Sequence, residues 1–113
     1  MKGDDLSARL IDFAVRVIRL VEAMPSSMAG KHIGNQLLRA GTSAGANYEE
    51  ARGAERRADF IHKLGVSWKE LREASYWLKV IRKAELVTPT NLDKLMNEAV
   101  ELNAIFSKSL TTA

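Results

Sequence analysis

An all-α architecture, an antiparallel up-down-up-down four-helix bundle, follows from three observations on this chain. Apolar residues recur at alternating spacings of four and three in four separate segments, which keeps them on one helical face. No segment alternates apolar and polar residues with the β-branched enrichment of a strand. The connections between segments are short, so neighbouring helices run antiparallel. With 113 residues, 46% hydrophobic and 27% charged, one domain over 1–113 with a single core is expected.

The first segment carries Leu6, Leu10, Phe13, Val17, Leu20 and Met24, with Asp4 or Asp5 to cap its start and Pro25 after its end. The second is capped by Ser26 or Ser27 and repeats the pattern with Ile33, Leu37, Ala40, Ala44, Asn47 and Ala51. Gly53 and the charged run Glu55, Arg56, Arg57 mark the following turn. The third and longest, from about Ala58 to Ala84, has the seam Phe60, Leu64, Ser67, Leu71, Ala74, Leu78 and Ile81. The fourth opens at Thr88-Pro89, where proline at the first helical position loses no needed N–H. Leu92, Leu95, Ala99, Leu102 and Phe106 form its inward face.

The run Gly41, Thr42, Ser43, Ala44, Gly45, Ala46 is unusual inside a helix, because each glycine costs about 1 kcal/mol relative to alanine. A phosphate-cradling loop needs a preceding strand and a following Gly-Lys-Ser/Thr, and neither is present. Close approach of a neighbouring helix is the reading that fits. Asn47, on the same seam, is expected to bond Glu50 or an adjacent helix and to fix register.

Composition excludes several functions. The chain has no cysteine, so disulfides and thiolate metal sites are absent, which suits a reducing cytoplasm. The N-terminal stretch lacks a signal-peptide apolar run, and Arg or Lys interrupts every apolar stretch before it spans a bilayer. A net charge of +3 and a pI near 9.4 are compatible with nucleic acid without requiring it. His32 and His62 come from different helices, and no Glu-x-x-His pair of the di-iron kind occurs. No metal or cofactor is expected.

Two outward rows exceed what a lone bundle needs. Ile11, Val15 and Ile18 lie nearly opposite Phe13, and Val66, Trp77, Val80 and Ala84 lie roughly opposite Leu71. Together they predict a homo-oligomer, for which closure of unlike patches into a ring is one solution. Lys69, Arg72, Tyr76, Lys79 and Lys83 share one flank of the third helix, with Arg9, Arg16 and Arg39 on the first two. Cations there would hold phosphates while Tyr76 stacks on a base or sugar. The competing reading is a solvated flank whose heads pair with Glu70, Glu73 or a neighbouring subunit. Arg57-x4-His62 fits a pattern of helical ribonucleases, in which histidine moves the 2′-hydroxyl proton and arginine holds the phosphate. The spacing is easily met by chance, and His62 beside Val66 reads more readily as a packed or interfacial side chain.

The stretch Arg39-Ala40-Gly41-Thr42-Ser43-x3-Asn47-x2-Glu50, then Asp59-Phe60-Ile61-x-Lys63-Leu64 and Lys69-Glu70-x5-Tyr76-Trp77-Leu78, resembles the ribosomal-RNA intervening-sequence protein family. The family's glycine after the matching Glu50 is Ala51 here, which moves the expected turn toward Gly53. The resemblance covers nearly the whole chain. It implies a cytoplasmic bacterial bundle, commonly a ring of five, without catalytic residues. It also implies relatedness to the accessory protein of diversity-generating retroelements, which binds nucleic acid and a reverse transcriptase. The expectation is a non-catalytic, pentameric scaffold or adaptor that binds RNA or DNA through its basic flanks. The alternatives are an adaptor for a separately encoded protein and, behind it, a metal-independent ribonuclease using Arg57 and His62.

Overall fold

The computed structural model describes residues 3–112, apart from the side chain at position 91. They form four helices, α1 (Asp4–Glu22), α2 (Met28–Arg52), α3 (Arg57–Lys83) and α4 (Pro89–Thr112), with no strand among the described residues. The bundle measures 44 × 22 × 22 Å. At about 1.5 Å rise per residue, the 27 residues of α3 run nearly its full length. Packing follows chain order, α1 on α2, α2 on α3 and α3 on α4, and α1 against α4 closes the bundle.

The four–three rows are the core. Leu10, Phe13 and Val17 of α1 and Leu37, Ala40, Ala44 and Ala51 of α2 are all buried. Leu64, Leu71, Ala74, Leu78 and Ile81 of α3 and the whole inward row of α4 complete it. Ser67 is the buried polar member of the α3 seam, and its hydroxyl donates to the Ala44 carbonyl across the α2–α3 contact. Tyr48 adds a buried ring that the spacing pattern does not single out. Its hydroxyl donates to the Gly3 carbonyl at 3.2 Å, and its ring stands edge-on to Phe106 at 5.9 Å.

The glycine-rich face is the α1–α2 seam. A Cβ on Gly41 would lie 2.9 Å from both Val17 methyl groups, and one on Gly45 would lie 3.3 Å from Leu10 Cβ. Small side chains here let two backbones approach where larger ones would part the helices.

Several local expectations change. Neither Asp4 nor Asp5 caps α1; Gly3, at φ 92°, is the N-cap, and both carboxylates sit in the first turn, favourable to the helix dipole. Ser27 caps α2, its hydroxyl accepting from the Gly30 N–H at 3.1 Å. Asn47 donates to the Ser43 carbonyl at 2.9 Å within its own helix, not to Glu50 or a neighbour. A carboxamide one turn above a carbonyl finds that partner without crossing a helix interface.

α3 ends in a left-handed residue that is not glycine. Glu85 has φ 55°, and the Leu86 N–H donates to the Ile81 carbonyl at 3.2 Å, closing a Schellman-type turn with Leu86 against the core. A Cβ in that region costs roughly 1 kcal/mol, and the Glu85 side chain is exposed. Glu85→Gly is therefore expected to stabilise the fold by about 1 kcal/mol. A urea midpoint equal to or below that of the parent protein contradicts this account.

Candidate nucleic-acid interface

The basic flank of α3 is set by its core seam. Because Leu71, Leu78 and Ile81 face inward, residues 69, 72, 76, 79 and 83 line the adjacent outer surface, and all five are exposed. Two carboxylates of the same helix, Glu70 and Glu73, have closer partners than the stripe, although the Lys69 charge also acts on Glu73. Arg39 of α2 reaches across to bond Glu70 at 2.8 Å and Glu73, and the Trp77 indole also donates to Glu73 at 3.0 Å. The indole hydrogen bond and the guanidinium hold the Glu73 carboxyl below its ordinary range, and the hydrogen bond to Glu73 raises the Arg39 guanidinium. These exposed pairs contribute little stability, but they fix where charge is left over. Lys69, Arg72, Lys79 and Lys83 make no salt bridge among the described residues. Arg72 lies over the Trp68 ring, 5.0 Å from its centroid.

The basic positions on the other helices divide. Arg9 is held by a two-pronged bond to Glu98 of α4, at 2.7 and 3.1 Å, with Glu101 at 3.3 Å; the Glu98 hydrogen bond raises its guanidinium further. Arg9 and Arg39 are thus cross-links between helices. Arg16 makes only a long contact with Asp12, at 3.9 Å, and lines an α1–α4 groove with Arg19 and Lys94. Neither Arg19 nor Lys94 is marked by the spacing, because the register of α1 against α4 brings them together.

The outward apolar rows also divide. Ile11, Val15 and Ile18 are exposed, Ile11 at 61%. Val66 and Val80 are half-buried and Ala84 is exposed. Trp77 leaves the outer row. Six positions from Leu71, it sits about 120° around the helix, not opposite. Its ring packs against the core edge, with His32 of α2 at 6.2 Å and Tyr76 at 5.0 Å, both edge-on. Val80 and Ala84 line a shallow depression together with Tyr76, Lys79 and Lys83, so apolar row and basic stripe share one surface on α3.

A second concavity, of about 410 Å³, runs between α3 and α4 and includes Arg72, Ser75, Lys79, Met96, Asn97, Val100 and Asn103. Its amides were not legible in the sequence, since an isolated asparagine carries no spacing signal. Arg57 and His62 are both exposed, and five positions along α3 they diverge by about 140°. Neither lines the grooves just described. Among the described residues, no group of three or more His, Asp or Glu side chains could hold a metal ion, and no helix is long and apolar enough to cross a membrane.

The sequence model of one family, described as 23S rRNA-intervening sequence protein, matches residues 5–108. The fold is similar to the crystal structure of a protein of unknown function from the S23 ribosomal protein family of Bacteroides thetaiotaomicron VPI-5482. The two share 34% identity and a TM-score of 0.84, over 92% of this chain and 96% of that one. No curated protein matches the chain.

Proposed function

Because the chain belongs to the 23S rRNA-intervening sequence protein family, we propose that it is a non-catalytic, self-associating scaffold that holds RNA or DNA on the α3 flank. One observation carries the reading: Arg39 occupies Glu70 and Glu73, which leaves Lys69, Arg72, Lys79 and Lys83 beside an exposed Tyr76 with no ion pair among the described residues. Cations of this kind hold phosphates, and the phenol ring offers a stacking face. Self-association is supported by the exposed Ile11, Val15 and Ile18 on α1 and by Val80 and Ala84 in the α3 depression, whose Tyr76 edge would stay outside the contact and open to nucleic acid. These are unlike patches on different helices, which suits head-to-tail closure into a ring. A ring of five is the size that the family resemblance implies. Lys79 and Lys83 would then stand at the polar rim of each junction, and the field of one copy would add to that of the next.

The test is binding of a labelled RNA strand as salt is varied. Each phosphate contact contributes a log–log slope of about −0.7 for a single strand, so the four cations predict a slope near −3. Lys79→Glu with Lys83→Glu is expected to weaken binding at least roughly tenfold and to flatten that slope. Ile18→Glu should lower the mass seen by light scattering and weaken binding with it. An intact oligomer that ignores RNA and DNA at low salt returns the reading to an adaptor for a separately encoded protein, a reverse transcriptase among the candidates. Metal-independent RNA cleavage that vanishes in His62→Ala would instead make the protein an enzyme.

A further inference from the structure

We infer that the groove between α3 and α4 receives the unpaired base of a single-stranded nucleic acid whose backbone follows the α3 flank. The inference rests on the reading of that flank as a nucleic-acid surface and adds which form of nucleic acid it selects. The groove has the size of a small-ligand site, about 410 Å³, and combines an apolar floor with convergent polar groups. Leu78, Met96 and Ala99 supply the floor, Arg72 and Lys79 the cationic α3 rim, and Asn97 and Asn103 amides on the α4 side. An aromatic heterocycle with polar edges, attached to a phosphate, matches that combination.

Asn103 supplies the independent pointer. Its Nδ2 donates to the Ser75 hydroxyl and to the Ala99 carbonyl, both at 2.8 Å. The amide orientation is therefore set, because turning it over would bring two carbonyl oxygens together at Ala99. Its Oδ1 is buried without any hydrogen-bond donor, the one side-chain atom in that condition among the described residues. An orphaned buried acceptor is costly; Oδ1 is closed to solvent, but the Asn103 side chain that carries it lines the groove and is only part-buried, so a small shift on entry of a base edge would bring it the ring N–H or exocyclic amine it lacks. In a duplex those edges are already paired and stacked, so only a splayed base can offer them.

Lys79 ties the groove to the flank. It lines this groove and also the depression that holds Tyr76. A phosphate on Lys79 would thus stand between one base in the groove and its neighbour over the Tyr76 ring, an arrangement open to single strands alone.

Val100 is the means of testing this, since it lines the groove yet is 66% exposed, and enlarging it leaves the core alone. The protein is titrated, by fluorescence anisotropy at fixed low salt, with three labelled RNAs of roughly twelve nucleotides per strand. They are a single strand, the same strand with abasic positions, and the corresponding duplex. The parent protein is expected to hold the intact single strand about tenfold more tightly than the other two. Val100→Trp, which fills the groove, should erase that preference and leave duplex affinity unchanged. Equal affinity for all three RNAs, or a preference that survives Val100→Trp, overturns the base pocket and leaves the phosphate-binding flank standing. Failure of every RNA to bind the parent protein overturns both.

Discussion

Gly30→Ala is expected to lower the unfolding free energy by about 3 kcal/mol or more, although it adds only a methyl group. A Cβ at this position would lie 2.0 Å from the Pro25 carbonyl oxygen and 3.0 Å from its carbon. Those are backbone atoms, with no side-chain rotation to relieve the clash. The turn at 23–27 has to move away from the first turn of α2, and the cap from Ser27 to the Gly30 N–H goes with it. Loss of such a cap alone costs about 1 kcal/mol. Gly65→Ala is the matched control. Its new methyl would meet nothing within 4 Å in the middle of α3, so helix propensity alone should raise stability by up to about 1 kcal/mol. Urea denaturation of the pair decides the matter, and equal effects of the two substitutions would remove the close-approach explanation.

Phe106→Ala is expected to cost about 3–5 kcal/mol, the range for deleting a fully buried phenylalanine. Phe106 is 0% exposed, toward the C-terminal end of α4, and its ring meets Tyr48 of α2 edge-on. The substitution opens a cavity between diagonal helices and removes the aromatic contact together. Domains of this size are stable by only about 5–15 kcal/mol, so the variant should sit near its unfolding midpoint at modest temperature. Val100→Ala, on the exposed side of the same helix, should change stability by less than about 0.5 kcal/mol. A Phe106→Ala protein that melts with the parent would mean that the α4 row is not the core.

The inward faces were readable because burial imposes a period on sequence. Every residue of the α4 row and nearly every residue of the α3 seam is buried as the spacing requires. The small-residue face of α2 was readable as close approach for the same reason, although its partners Val17 and Leu10 were not. The role of Gly30 is not legible in the sequence, because it serves a turn folded back on its own helix and carries no periodic signal. Pairing across helices likewise leaves no mark in the spacing. Arg9 and Arg39 look like members of a basic row, but the register of the bundle sets them on Glu98 and on Glu70 and Glu73. Trp77 lies further inward than its spacing implies, since a large ring at the boundary of a helical face folds over the core edge and covers it. The α3 stripe kept its place because it lies on a single helix, where spacing alone determines the neighbours.

The seat of Gly41 on Val17 also bears on ancestry. With both Val17 methyl groups 2.9 Å from where a new carbon would stand, a larger residue at position 41 requires Val17 to move or to be replaced by a smaller one. Enlarging position 41 first is expected to cost more stability than shrinking position 17 first. The two sites should therefore drift as an epistatic pair with a preferred order, and transplanting either residue singly from a relative would misstate what that lineage tolerates.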